Sequence, residues 1–124
     1  MKKKIIYIGL SLDIIHHGHI NLINKSCKLG NLIVGLLTDN AIGEHKKIPL
    51  LDYNSRKKIL ENLKGIYKIV PQKEWNYSSN ILKYKPDIMV HGDDWNLTDS
   101  GRKLKLDALR ALNKINSKLV EIPY

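Results

Sequence analysis

Three imidazoles stand within four positions at His16-His17-Gly18-His19. His16 and His19 are three residues apart, so on a helix they share one face of the first turn. Gly18 lets the backbone come close to a ligand. The free N–H groups of a helix start attract anions. The assembly suits a phosphate chain, with the imidazoles bonding its oxygens. A second cluster is Gly92-Asp93-Asp94-Trp95. Adjacent carboxylates repel when desolvated, so a cation or hydrogen-bond donors belong beside them. Two plainer readings compete for the histidines. A zinc site lacks a further Cys or His cluster to complete its tetrahedron. The alternative is ordinary surface histidines.

Such residues need elements to position them, and the chain alternates. Residues 4–10, rich in β-branched side chains, read as a buried first strand. Residues 18–29 carry Ile20, Ile23 and Cys27 at helical spacing, and Gly30 stops that helix. Residues 31–38 form a second strand, followed by a polar loop through Pro49. Asp52 caps a helix that runs to about Lys64, where Gly65 ends it. Tyr67 to Val70 is a short third strand, stopped by Pro71. A short helix spans 78–85, with Pro86 blocking its continuation. Residues 87–91 are a fourth strand. Leu104, Ala108, Ala111 and Ile115 mark a last helix, and residues 117–122 a fifth strand.

This pattern predicts an α/β fold, a single Rossmann-like doubly wound domain with a five-stranded parallel sheet and right-handed crossovers. Ligands of such sheets lie outside the carboxyl ends of the strands, at the switch in strand order. The segments to inspect are therefore 11–19, 39–49 and 92–95. Both chemical clusters fall in them.

Composition narrows the class. The chain has 124 residues, 43% hydrophobic and 27% charged, which is globular and of one-domain size. No run approaches the ~18 apolar residues of a membrane span. No secretory signal is legible after Lys2-Lys3-Lys4, and one cysteine, Cys27, fits a reducing compartment. The expected location is cytoplasmic. The net charge is +9, which raises nucleic-acid binding. Yet 18 of the 21 basic residues are Lys, and only Arg56, Arg102 and Arg110 are Arg. No aromatic–basic stripe of the single-strand-binding kind is present. Neither nucleic acid nor membrane is an expected partner.

His16-x-Gly18-His19 after a first strand resembles the HxGH signature of the nucleotidyltransferase superfamily. Gly92-Asp93-Asp94-Trp95 after strand four is similar to the G-D-D-W motif of its glycerol-3-phosphate cytidylyltransferase-like branch. Thr38-Asp39, Lys46-Lys47 and Tyr53-x-x-Arg56-Lys57 match as well, so the resemblance covers almost the whole chain. The runs 35–39, 62–65 and 91–95 most resemble the cytidylyltransferase domains of phosphonate biosynthesis, often fused to phosphoenolpyruvate mutase. His91 leans the same way.

The resemblance implies transfer of CMP from CTP, with Mg²⁺, to a small phosphate or phosphonate, and release of pyrophosphate. The acceptor would be 2-aminoethylphosphonate or glycerol 3-phosphate. It implies that His16 and His19 contact the α- and β-phosphates, and that Lys46 or Lys47 bridges the two substrates. Ser11, Leu12, Asp13, Gly18, Gly92, Asp94 and Trp95 would contact the nucleotide, with Asp13 and Asp94 on Mg²⁺. Asp39, Arg56 and Trp75 would face the second substrate. Plain roles compete: turns for Asp13 and Asp39, surface for the lysines and Arg56, core packing for the tryptophans. Family members commonly form homodimers.

The family continues with an Arg-Thr-x-Gly-Ile-Ser-Ser/Thr-Thr segment that holds the β- and γ-phosphates. This sequence ends at Pro123-Tyr124, close to where that segment would begin. The 124 residues alone are thus expected to bind CTP weakly and turn over poorly. Two other readings stay open: a non-catalytic nucleotide-binding or docking module, and an adenylyltransferase of the same superfamily.

Overall fold

A computed structural model describes residues 3–12, 17–44 and 49–123. Its five strands are β1 (Ile5–Leu10), β2 (Asn31–Leu37), β3 (Ile66–Gln72), β4 (Ile88–Gly92) and β5 (Lys118–Ile122). They form one all-parallel sheet in the order β3-β2-β1-β4-β5. The doubly wound expectation is met, with β1 central and the order of strand addition reversing between β1 and β4. The helices are α1 (His17–Cys27), α2 (Asp39–Gly43), α3 (Tyr53–Glu61), α4 (Ser78–Tyr84) and α5 (Asp99–Lys114). A 3-10 helix spans Asp93–Leu97.

Strand alternation splits the core in two. Ile6, Ile8, Leu32, Val34, Ile88 and Val90 face α1 and α3, where Ile23 and Leu60 cover them. Tyr7, Ile33 and Met89 point the other way, under Ile81 of α4 and Ala108, Ala111 and Leu112 of α5. Inner strands apolar on both faces are what a sheet covered by helices on both sides requires.

Local signals explain the helix starts. The Asp52 carboxylate accepts from the Ser55 N–H at 2.8 Å, and Thr98 accepts from Gly101 at 3.0 Å. Thr38 caps α2 in the same way, accepting from Ala41 N at 3.2 Å. That helix replaces the polar loop expected after β2, because Thr38-Asp39 supplies a cap and a first-turn acid. Strand β3 also differs from expectation, since it runs through Pro71 to Gln72. It is an edge strand, so the missing proline N–H breaks no ladder bond.

Two glycines allow buried groups to cross the sheet. A Cβ at Gly35 would overlap the Tyr7 hydroxyl, and one at Gly9 would overlap the Tyr77 ring. The Tyr7 hydroxyl donates to Gln72 Oε1 at 2.5 Å and accepts from Asn80 Nδ2 at 3.0 Å. Gln72 Nε2 in turn donates to the Glu74 carbonyl at 3.0 Å. Burial holds the Tyr7 phenol well above its ordinary pKa, so it stays a neutral donor. Among the described residues no helix is long and apolar enough to cross a membrane.

Candidate active site

The carboxyl ends of β1 and β4 open onto two cavities with common lining residues. The larger, about 460 Å³, is lined by His17, Gly18, His19, Leu22, Gly92 and Asp94, with Ile122 and Pro123 at its edge. The smaller, about 220 Å³, lies over Gly9 and is lined by Ser11, His19, Trp75, Tyr77, His91 and Asp94. His19 and Asp94 line both. The histidine-bearing helix start and the acidic turn therefore meet across one groove at the switch in strand order.

The β4 side of this groove is held by a connected set of side chains. The His91 ring stacks on Trp95, with centroids 3.6 Å apart and planes 8° from parallel. His91 Nδ1 lies 2.6 Å from the Gly92 carbonyl, which can only accept. The proton is therefore assigned to Nδ1, and Nε2 accepts from the Tyr77 hydroxyl at 3.1 Å. Burial pulls the His91 pKa below its ordinary value and keeps the ring neutral, although Gly92, Asp94 and Glu121 oppose this. Burial likewise raises the Tyr77 phenol, with Asp94 adding to it. Trp95 donates from Nε1 to Glu121 at 2.9 Å. Glu121 also accepts from Lys105 at 2.8 Å and Asn96 at 2.9 Å. These donors, Lys105 first, hold the Glu121 carboxyl down at about 2.

The β2 side depends on Arg56. Its side chain is 0% exposed and donates four hydrogen bonds. Nε reaches the Leu51 carbonyl at 3.0 Å, and Nη1 reaches Ser11 O at 2.6 Å and Leu37 O at 2.7 Å. Nη2 pairs with Asp39 Oδ1 at 2.7 Å. Ser11 precedes Leu12, whose φ of 55° is left-handed, a strained conformation for a branched side chain.

The expected site residues divide accordingly. Ser11, Gly18, His19, Trp75, Gly92 and Asp94 line the groove. Asp13, His16, Lys46 and Lys47 lie outside the described residues. Three placements correct the expectation. Arg56 is enclosed by carbonyls and Asp39 rather than aimed outward at a phosphate, because it fills the acceptors left where β1 and β2 end. Trp95 is 5% exposed and packs in the core under the groove, since its ring is stacked and its N–H is tied to Glu121. Leu12 is 1% exposed and belongs to the α1-side core, so its side chain is not on the nucleotide face. Asp39 heads α2 and faces Arg56. Tyr77 and Gly9 are groove residues that the sequence reading did not single out. The signal for them is an aromatic that needs a glycine opposite it, a pairing visible only once the sheet register is known. Among the described residues no three His, Cys, Asp or Glu side chains form a metal-holding group.

A family model described as cytidylyltransferase-like matches residues 7–123. The chain is 39% identical over 95 residues to glycerol-3-phosphate cytidylyltransferase of Bacillus spizizenii, covering 75% of this chain and 73% of that one. It is 33% identical over 111 residues to an FAD synthase of Thermoplasma acidophilum, covering 89% and 75%. A crystal structure described as the lipopolysaccharide core biosynthesis protein of Thermoplasma volcanium superposes with a TM-score of 0.78, at 29% identity and 98% coverage of each chain. With the groove placed where such sheets bind ligands, these likenesses settle the family: the chain belongs to the cytidylyltransferase-like nucleotidyltransferases.

Proposed function

We propose that this protein transfers CMP from CTP to a small phosphate- or phosphonate-bearing acceptor. The observation that carries the reading is the groove itself, where His19 and Asp94 line both cavities. The nucleotide occupies the larger cavity and the acceptor the smaller. The acceptor proposed is acyclic, glycerol 3-phosphate or 2-aminoethylphosphonate.

The acceptor's anionic oxygen attacks the α-phosphorus of CTP. A P–O bond forms there, and the bond to the bridging oxygen breaks, so pyrophosphate leaves with that electron pair. No protein nucleophile is needed, and the protein's task is positioning and charge neutralisation. His19 and the N–H groups of the α1 start donate to the phosphates, together with His16. Lys46 or Lys47 bridges CTP and the acceptor. Mg²⁺ enters bound to CTP as part of the substrate, and Asp94 and Asp13 supply carboxylates to it.

A pyrophosphate-release assay tests this, with CTP or ATP offered against glycerol 3-phosphate, 2-aminoethylphosphonate and FMN. CTP with a small acceptor is the expected pair. The FAD synthase relative makes ATP with FMN the specific rival, and a preference for that pair would overturn the reading. His16→Ala and His19→Ala should each cut turnover by about 10²–10³, roughly 2.7–4 kcal/mol, as for a lost oxyanion donor. Rates like the wild type's would remove either from the mechanism.

A further inference from the structure

We propose that Arg56 is a positioning residue, a buried clamp that sets the spacing between the chain leaving β1 and the chain leaving β2. The inference rests on the cytidylyl-transfer reading for its kinetic consequence only. A guanidinium has five N–H donors in a rigid planar fork. Arg56 uses four of them on four separate points of the chain: Ser11, Leu37, Asp39 and Leu51. Three of those acceptors are backbone carbonyls. Ser11 follows the last residue of β1, and Leu37 is the last residue of β2.

The placement of these points gives the clamp its role. Ser11 lines the acceptor-side cavity together with His19. Leu12 follows it in a left-handed conformation with its side chain in the core. Such strain persists only where the surroundings over-determine it, and the bond from Arg56 to Ser11 O is one of those constraints. Asp39 and Leu51 flank the segment that carries Lys46 and Lys47. An apolar side chain of equal volume would remove the guanidinium donors of the Ser11 and Leu37 carbonyls. Lysine has no planar fork to serve them all. A phosphate has no path to a side chain that is 0% exposed.

The test measures amide hydrogen exchange and steady-state kinetics of R56K and D39N against the wild type. For R56K, amides of residues 11–12, 17–22 and 38–44 should exchange at least tenfold faster, with those of residues 6–8 and 88–90 unchanged. Its kcat should fall more than tenfold, while KM for the acceptor changes less than threefold. D39N weakens one of the four bonds at a partly exposed partner. It should loosen the same segments about threefold, and it decides the matter should R56K fail to fold. Unchanged exchange in the folded variants would overturn the clamp. So would a rise confined to acceptor KM, which would make Arg56 a direct phosphate ligand. A wild type that transfers no CMP, with the exchange pattern as expected, would sink the transfer reading and support the clamp.

Discussion

The two walls of the groove are held in opposite ways. The β4 wall, residues 91–97, is fixed by many modest contacts: a stacked His91–Trp95 pair, a Tyr77 hydroxyl, and a Glu121 carboxylate with three donors. At the β2 wall, the chain at Leu37, Asp39 and Leu51 converges on one buried cation, Arg56. A distributed network shares its loss among several partners. A concentrated one leaves several acceptors orphaned at once, and orphaned buried groups cost more than a made bond contributes. Damage should therefore be graded on the β4 side and abrupt on the β2 side.

The abrupt case is Arg56→Met. The buried Leu37 carbonyl and the part-buried Ser11 carbonyl lose their donor at about 1 kcal/mol or more each, so the unfolding free energy should drop by about 2 kcal/mol or more. Urea denaturation reads this directly, and a loss below about 1 kcal/mol would erase the contrast between the walls. Next is Tyr77→Phe, which strips the donor from the part-buried His91 Nε2. A loss of about 1–2 kcal/mol is expected by the same measurement. Trp95→Phe keeps an aromatic face for His91 but deletes the N–H to Glu121. Lys105 and Asn96 still serve that carboxylate, so the cost should stay near 1 kcal/mol. A cost equal to that of Arg56→Met would mean that the β4 wall is concentrated too.

Acid supplies the smallest and most specific effect. Glu121 sits at about 2 against an ordinary 4.5. Its contribution is present above about pH 4.5 and is lost as pH falls towards 2. His91 is also depressed, from 6.5. The unfolded chain takes up that proton first, so stability begins to fall below about pH 6.5. Urea midpoints followed from pH 8 to pH 2 should show both windows. His91→Gln should flatten the upper one and Glu121→Gln the lower one. Glu121 is partly exposed, so solvent screening keeps its share small. A profile unmoved by both substitutions would show that the network does not couple to protonation.

Much of this protein was written in local signals. Continuous β-branched runs, helical spacing and caps such as Asp52 specify an alternating chain, and that pattern implies a parallel sheet with its ligand site at the strand ends. The His16–His19 tetrad and the Gly92–Trp95 run could be picked out by type and spacing alone, because anion binding and paired carboxylates need those groups in those places.

Tertiary structure decided which of these side chains meet the groove. The letters left Arg56 between a substrate phosphate and the surface, and Trp95 between the nucleotide pocket and the core, yet both are enclosed. Their partners, Ser11, Leu37, Leu51 and Glu121, lie 5 to 45 residues away along the chain. Pro71 could extend a strand only because that strand is at an edge, and sheet order is a property of the whole fold. Burial and hydrogen-bond partnership depend on distances between elements, whereas local spacing fixes only the elements themselves.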